Sequence, residues 1–207
     1  QEPVLSIVSV HVHIPVYLFY QVLNVMPDTR RIALFGGSFD PPTSAHREIV
    51  EEASSLFDEV VVVPCGPRPD KLTVNDIPSI HRAVMVDMTF EDLPNVTVDL
   101  TDLELTVFTR TYELVERYTP SGEVWIVIGS DLILGGREGR SIIHSEWVKG
   151  ESLWQHTPFL VVSRGGFDFP EEDLPPRCEV IRQTKYGASS EIRNAVFNRS
   201  TVPEGQV

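Results

Sequence analysis

The sequence predicts an α/β fold with a doubly wound parallel sheet in a single domain. Continuous runs of β-branched residues, such as Val60–Val63 and Val124–Ile128, indicate strands that are buried on both faces, as in parallel sheets. Amphipathic segments of helical length alternate with these runs, and such helices join parallel strands by right-handed crossovers. Both observations are typical of the Rossmann-like arrangement, in which ligands bind at the carboxyl ends of the strands.

Each predicted element follows from the local pattern of residues. Short apolar stretches rich in Val and Ile are assigned as strands, and segments with apolar residues three and four apart are assigned as helices. Strands are expected over 32–36, 60–64, 95–98, 124–128, 159–162 and 180–181. Helices are expected over 44–57, 79–90, 109–118 and 189–197. Trp147 lies in an irregular or short helical stretch.

Two regions of the chain differ in composition. Residues 31–207 carry the alternating pattern and are expected to form the domain, whereas residues 1–30 form an N-terminal extension whose role stays open. Residues 3–27 contain no charged side chain, but no positive region precedes them and Ser, His and Pro interrupt them. These interruptions argue against a signal peptide or a membrane span. We expect the extension to pack on the domain as a strand or to be partly disordered.

The chain carries a formal net charge of −13 at pH 7. This acidic balance argues against binding to nucleic acid or to an anionic membrane, because such partners require clustered Lys and Arg. It still allows a small anionic ligand, since a few local basic residues and helix dipoles outweigh the global field. The two cysteines, Cys65 and Cys178, lack metal-ligand spacing. We therefore expect free thiols in a reducing, cytoplasmic location and no zinc site.

A glycine turn follows the first predicted strand and precedes the first predicted helix. Its residues are Gly36, Gly37, Ser38, Phe39, Asp40, Pro41, Pro42, Thr43, Ser44, Ala45 and His46. Glycines let a backbone approach a phosphate closely, and a helix N-terminus offers unpaired N–H groups to an anion. The run lacks the spacing of dinucleotide sites and of P-loops. It predicts a nucleotide triphosphate site with His46 in the first helical turn, although a tight strand-to-helix connection explains the two glycines alone equally well.

A second candidate run lies near the other end of the chain, over Gly187–Arg193. Ser189 and Ser190 fall at a predicted helix N-terminus, where serines cap the helix and can bind phosphate. Arg193 lies one turn further along and faces the same way. From local spacing alone, a capped helix with a surface arginine is the simpler interpretation. The functional interpretation of this second run depends on the presence of the first run.

Together the two runs resemble the signatures of the nicotinamide and nicotinate mononucleotide adenylyltransferases, which belong to the nucleotidyltransferase superfamily. The first run is similar to G-x-F-D/N-P-x-H/T-x-x-H, with Thr43 and His46 at its last two named positions. The second run is similar to I-S-S-T-x-I-R, with Ser189, Ser190 and Arg193 at or near the matching places. The resemblance covers roughly residues 31–200 and implies a single nucleotidyltransferase domain.

The resemblance implies adenylyl transfer from ATP to nicotinate or nicotinamide mononucleotide in NAD biosynthesis, giving NaAD or NAD and pyrophosphate. ATP would carry Mg²⁺ through its phosphates, with no metal ligand from the protein. The implied catalytic residues are His46, Arg193 and Thr43. The implied ATP-binding residues are Gly36, Gly37, Ser38, Phe39, His46, Gly129, Asp131, Ser189, Ser190 and Arg193.

Further segments resemble the family's ribose and mononucleotide contacts. Gly129-Ser130-Asp131 resembles the turn whose acid meets the adenosine ribose. Trp147 resembles the aromatic residue that stacks on the pyridine ring, and a core tryptophan is the alternative. Thr109 and Thr111 both fit the threonine at the pyridine substituent, and the choice stays open. The implied mononucleotide-binding residues are Asp40, Lys71, Thr109, Thr111, Trp147 and Arg164.

Two residues of the first run depart from the family pattern. Thr43 replaces the first histidine and Ala45 replaces a glycine, which leaves one imidazole near the phosphates. The Thr-x-x-His spacing is shared with the pantetheine-phosphate adenylyltransferases, and these are one alternative. A non-catalytic nucleotide-binding sensor is the other. The sequence does not choose between the two mononucleotides, and it allows a homo-oligomer.

Overall fold

The computed structural model describes residues 29–68, 77–164, 169–199, 201–202 and 204–206. Its strands are β1 (Arg31–Gly37), β2 (Glu59–Pro64), β3 (Val96–Val98), β4 (Glu123–Gly129), β5 (Phe159–Arg164) and β6 (Cys178–Gln183). Its helices are α1 (Ser44–Leu56), α2 (Ser79–Phe90), α3 (Thr111–Tyr118), α4 (Ile142–Glu146), α5 (Gly150–His156) and α6 (Ser189–Phe197). The predicted extension lies outside the described residues apart from 29–30, and the domain boundary stays a prediction.

The strands form one six-stranded sheet in the order β3-β2-β1-β4-β5-β6. Every neighbouring pair is parallel, so the predicted doubly wound sheet is confirmed. The chain winds outward from β1 in one direction to β3, and then returns to the centre to place β4 on the other side of β1. The strand order therefore reverses between β1 and β4, and the carboxyl ends of these strands form the edge where such folds bind ligands.

Helices cover both faces of the sheet. On one face, Ala33 and Phe35 of β1 pack in a cluster with Ile49 of α1 and Val86 of α2. On the other, Leu34 of β1 packs in a cluster with residues of α3, while a neighbouring cluster joins β4 and β5 to α4 and α5. Consecutive residues of β1 thus face opposite layers and are both buried. This burial on two faces explains why the strands read as continuous apolar runs.

The four predicted helices are all present, with differences at two boundaries: α1 ends at Leu56 rather than at residue 57, and α3 begins later than predicted. Helices α2 and α6 have the predicted ends, but α3 begins at Thr111 rather than at Thr109. The reason is that the buried carboxylate of Asp102 accepts hydrogen bonds from the Thr109 backbone N–H, at 3.0 Å, and from the Thr109 hydroxyl. These bonds hold Thr109 in the preceding loop.

Two further observations concern the cysteines and the helices. Cys65 and Cys178 are both free and half-buried, as predicted. Within the described ranges, no helix combines the length and the apolar character needed to cross a membrane.

Candidate active site

The N-terminus of α1 is built around Thr43 and His46. Thr43 is the N-cap residue, and its hydroxyl accepts a hydrogen bond from the His46 backbone N–H. In return, the Thr43 backbone N–H donates to His46 Nδ1 at 3.0 Å, and the Thr43 hydroxyl lies 2.8 Å from the same nitrogen. Because Nδ1 accepts a backbone N–H, neutral His46 carries its ring proton on Nε2. The cap therefore sets both the position and the tautomer of the imidazole.

The Phe39 ring packs against the imidazole of His46. Its ring is 1% exposed and packs edge-to-face against His46, with 5.2 Å between ring centroids. The backbone at Phe39 is left-handed, with φ of 46°, and this turn folds the ring back over Gly37. A Cβ at Gly37 would lie 2.9 Å from the Phe39 ring, so the glycine is needed for close approach. Phe39, one of the predicted ATP ligands, is thus buried, and its ring packs against His46.

Residues of the second run contact residues of the first run, which lies far away in the sequence. The Ser189 hydroxyl donates to the Pro41 carbonyl oxygen at 2.8 Å. Arg193 Nη1 donates to the Asp40 carbonyl oxygen at 2.5 Å and lies 3.8 Å from Asp40 Oδ2. The expectation that the serines cap α6 is wrong, because Ala188 is the N-cap residue and the Ser189 hydroxyl turns toward Pro41 instead. The two predicted motifs are nevertheless in direct contact.

A close approach at Gly187 brings the start of α6 against the start of α1. A Cβ at Gly187 would lie 2.8 Å from Thr43 Oγ1 and 3.2 Å from the Ala45 Cβ. Any larger residue would push the two segments apart. Ser190 is exposed at the start of α6, so its hydroxyl faces solvent beside the joined helix ends. The arrangement places two helix N-termini, one imidazole and one guanidinium in the same region.

The turn after β4 lies beside the turn after β1, because these two strands are paired. Ser130 is buried, whereas Asp131 is exposed. A Cβ at Gly129 would collide with Asp131 Oδ1, so the glycine lets the carboxylate fold back over the end of the strand. At the end of β1, a Cβ at Gly36 would meet no atom within 4 Å, which leaves open space above this strand. The predicted ATP residues thus share one edge of the sheet.

The predicted mononucleotide residues are distributed over several positions. Asp40 is 1% exposed and lies under Arg193. The Thr109 hydroxyl donates to Asp102, whereas Thr111 is the first residue of α3 and is half-buried. The structure therefore shows Thr109 held in place by a buried acid and Thr111 at a helix end.

The remaining members of this group are Trp147, Arg164 and Lys71. Trp147 follows the last residue of α4 and packs half-buried against the cluster that contains Ile143 and Trp154. Arg164 is the last residue of β5, which pairs with β4, so it lies at the carboxyl edge of the sheet; its side chain lies outside the described part of the structure. Lys71 lies outside the described residues altogether.

Comparison with known proteins places the chain in a family. Residues 34–195 match the family model described as cytidylyltransferase-like. A probable nicotinate-nucleotide adenylyltransferase of Clavibacter michiganensis subsp. michiganensis is 31% identical over 150 residues, which cover 70% of this chain and 70% of that protein. The chain belongs to the cytidylyltransferase-like family, among its nicotinate-nucleotide adenylyltransferases.

Two further members of the family are similar to this chain. A probable nicotinate-nucleotide adenylyltransferase of Albidiferax ferrireducens is 36% identical over 107 residues, 49% of this chain, and the match spans only about half of that relative, 54% of its length. The solved structure of the Plasmodium falciparum nicotinic acid mononucleotide adenylyltransferase complexed with NaAD is 27% identical, with a TM-score of 0.66. This similarity covers 84% of the present chain and 87% of the Plasmodium chain.

The structure also reveals a buried arginine beside the turn after β1, to which the sequence analysis assigns no site role. Arg82 of α2 is 2% exposed, and its Nη1 donates to the Ser38 carbonyl oxygen at 3.0 Å and to the Cys65 carbonyl oxygen at 2.8 Å. It joins the turn after β1 to the end of β2. Within the described part of the chain, Arg82 Nε has no hydrogen-bond partner. In the sequence, Arg82 lies on the same helix face as Val86 and Phe90, both buried.

Glu48 of α1 was also missed. It lies two residues after His46, and its carboxylate accepts hydrogen bonds from Thr184 and Lys185, just beyond β6. No local pattern indicates a contact across 136 residues of sequence. Nor do the described residues contain any group of three or more His, Cys, Asp or Glu side chains that could hold a metal ion.

Proposed function

We propose that this chain transfers the adenylyl group of ATP to nicotinate mononucleotide, forming nicotinate adenine dinucleotide and releasing pyrophosphate. The observation that carries the proposal is the contact of the two motifs, in which Arg193 and Ser189 of α6 reach Asp40 and Pro41 of the first run. The choice of nicotinate over nicotinamide rests on the names of the relatives and on NaAD in the Plasmodium structure.

The reaction needs alignment more than proton transfer. A phosphate oxygen of the mononucleotide attacks the α-phosphorus of ATP in line, a new P–O bond forms, and the bond to the β-phosphate oxygen breaks. The attacking phosphate is already a competent nucleophile, so no protein base is required. The protein lowers the barrier by holding the two substrates in line and by neutralising charge on the α-phosphate and on the leaving pyrophosphate.

The described residues offer specific groups for this task. His46 directs its protonated Nε2 away from the Thr43 cap, and in our proposal this N–H donates to the phosphates. Arg193 supplies a permanent positive charge at the start of α6, where Ser190 adds an exposed hydroxyl. The N-termini of α1 and α6 favour anions through their dipoles. These groups would bind the triphosphate from two sides.

We further infer that ATP enters with Mg²⁺. The ATP phosphates would hold the ion, and His46 and Arg193 would contact the same phosphates. When bound, Mg²⁺ neutralises phosphate charge. The free thiols of Cys65 and Cys178 fit the reducing, cytoplasmic compartment that we propose for the chain.

Pyrophosphate release tests the proposal. The protein is incubated with MgATP and one of three acceptors: nicotinate mononucleotide, nicotinamide mononucleotide or phosphopantetheine. We expect release with nicotinate mononucleotide, at a kcat/KM at least about tenfold above that with nicotinamide mononucleotide, which corresponds to about 1.4 kcal/mol. Release with phosphopantetheine alone would identify a pantetheine-phosphate adenylyltransferase. Binding of ATP without release under all three conditions would identify a sensor.

A further inference from the structure

Glu48 bridges α1 to the segment that leads into α6. Its two carboxylate oxygens each accept the Thr184 backbone N–H at 3.1 Å, and Oε2 accepts the Lys185 backbone N–H at 2.7 Å. The Thr184 hydroxyl also donates to Oε1. Thr184 is the first residue after β6, so one side chain of α1 binds the chain where the sheet ends and the connection to α6 begins.

The connection from Thr184 to Ser189 is short and is held against α1 along its length. Glu48 binds its first two residues, Gly187 packs against Thr43, and Ser189 donates to the Pro41 carbonyl. We call residues 184–188 the α6 arm. Because α6 starts where this arm ends, the position of the arm fixes where Ser190 and Arg193 stand relative to His46.

The hydrogen bonds from the α6 arm favour the ionised form of the Glu48 carboxylate. Burial raises the pKa of Glu48, but hydrogen bonds from Thr184 and Lys185 lower it, so that the pKa lies below its usual value. Hydrogen bonds to a charged group are stronger than neutral ones. The carboxylate is therefore a firm anchor rather than an incidental surface contact.

We propose that Glu48 is a positioning residue for the triphosphate site: it anchors the α6 arm on α1 and so holds Ser190 and Arg193 at the distance from His46 that ATP requires. This inference rests on the proposed function for the identity of the ligand. It predicts that loss of the anchor weakens ATP binding much more than mononucleotide binding, because Thr109, Thr111 and Trp147 lie on other elements, although Asp40 contacts Arg193.

The substitution Glu48→Gln tests the anchor. The glutamine has nearly the same shape but no charge: in one orientation its amide N–H group faces the Lys185 N–H, and in the other only neutral hydrogen bonds form, so the charge-assisted anchor is lost in both. The arm is exposed at Thr184 and Lys185, so water can solvate the released N–H groups and the protein is expected to fold. Glu52→Gln is the matched control, since Glu52 lies on the same helix with an exposed side chain.

Dissociation constants are measured by calorimetry for MgATP alone and for nicotinate mononucleotide alone, with hydrogen exchange of the arm amides as a second readout. For E48Q we expect a Kd for MgATP raised about tenfold, a mononucleotide Kd within about twofold, and faster exchange over 184–188. For E52Q we expect all three values to match the wild type. A Kd for MgATP in E48Q that matches the wild type overturns the inference, and so does equal weakening of both ligands.

Thr184 gives a second, smaller perturbation. Thr184→Val removes only the hydroxyl donor and is expected to raise the Kd for MgATP about threefold, and Thr184→Ser is expected to restore it. Failure of the serine to restore binding would contradict the bridge. If the wild type binds MgATP but transfers no adenylyl group, the proposed function is wrong. The MgATP Kd of E48Q, compared with those of E52Q and the wild type, then still tests the role of Glu48. A wild type that binds no MgATP overturns both.

Discussion

The two ring nitrogens of His46 have different roles. Nδ1 accepts the Thr43 backbone N–H and so completes the cap of α1, whereas Nε2 is the nitrogen that can donate to a phosphate. The residue is therefore both structural and, in our proposal, catalytic. A single alanine substitution would remove both contributions together, and a better choice of variant separates them.

Asparagine provides this separation. In His46→Asn the side-chain oxygen can replace Nδ1 as the acceptor of the cap, but no group replaces Nε2. We expect kcat to fall by about 10²–10³ in both H46N and H46A, the range seen when one charge-stabilising donor is lost. H46A should also lose about 1 kcal/mol more unfolding free energy than H46N, because it loses the cap. Steady-state kinetics and urea unfolding measure these effects, and a near-normal kcat in H46N would refute the role of Nε2.

Thr43 is expected to act through His46 rather than on ATP. It is 2% exposed, and its hydroxyl is committed to the cap. Thr43→Val should lower the unfolding free energy by about 1 kcal/mol and should reduce kcat less than H46N does. Added to H46N, T43V should cause no further fall in kcat, since the two act as one unit. Independent, additive losses in kcat would show that Thr43 contacts the substrate itself.

At the scale of elements, the joining of α1 to α6 depends on the absence of a side chain at Gly187. A Cβ there would lie 2.8 Å from Thr43 Oγ1, so Gly187→Ala must displace the α6 arm. We expect the KM for ATP to rise about tenfold with a smaller change in kcat, because misplacement of binding groups by a fraction of an ångström is costly. Kinetics at saturating nicotinate mononucleotide test this expectation. An unchanged KM would mean that α6 does not bind ATP.

The elements themselves could largely be predicted from the sequence, and the contacts between them could not. Periodicity is local, so β1, α1 and α6 follow from their own residues. The Thr109 boundary was missed because a buried acid, Asp102, overrides helix propensity there. Ser189 was assigned to a cap because its partner, Pro41, lies 148 residues away. Glu48 belongs to no sequence motif, so its contacts with Thr184 and Lys185 are visible only in the folded structure.

At the scale of the whole molecule, acidic side chains join elements that are distant in sequence. Glu48 binds the α6 arm to α1, Asp99 binds the end of β3 to α3, and Glu123 of β4 pairs with Arg177, which precedes β6. Burial raises the pKa of Glu123, but hydrogen bonds from Trp125 and Arg177 bring it below its usual value. The protein is acidic overall, yet several of its carboxylates stabilise the fold in their ionised form.

Asp99 makes this dependence on ionised carboxylates measurable. Burial raises its pKa, but hydrogen bonds from Thr101 and Tyr118 and the charge of Arg117 lower it, so that the pKa in the folded protein lies below its usual value. A carboxyl group with a lowered folded pKa contributes stability above the unfolded pKa of about 4, and this contribution is lost as the pH falls through the folded pKa. We therefore expect Tm to be steady above about pH 5 and to decline below about pH 4. Asp99→Asn should lower Tm at pH 7, and the Tm of this variant should decline less steeply than that of the wild type as the pH falls. If the two Tm values fall in parallel, Asp99 contributes nothing to the acid transition.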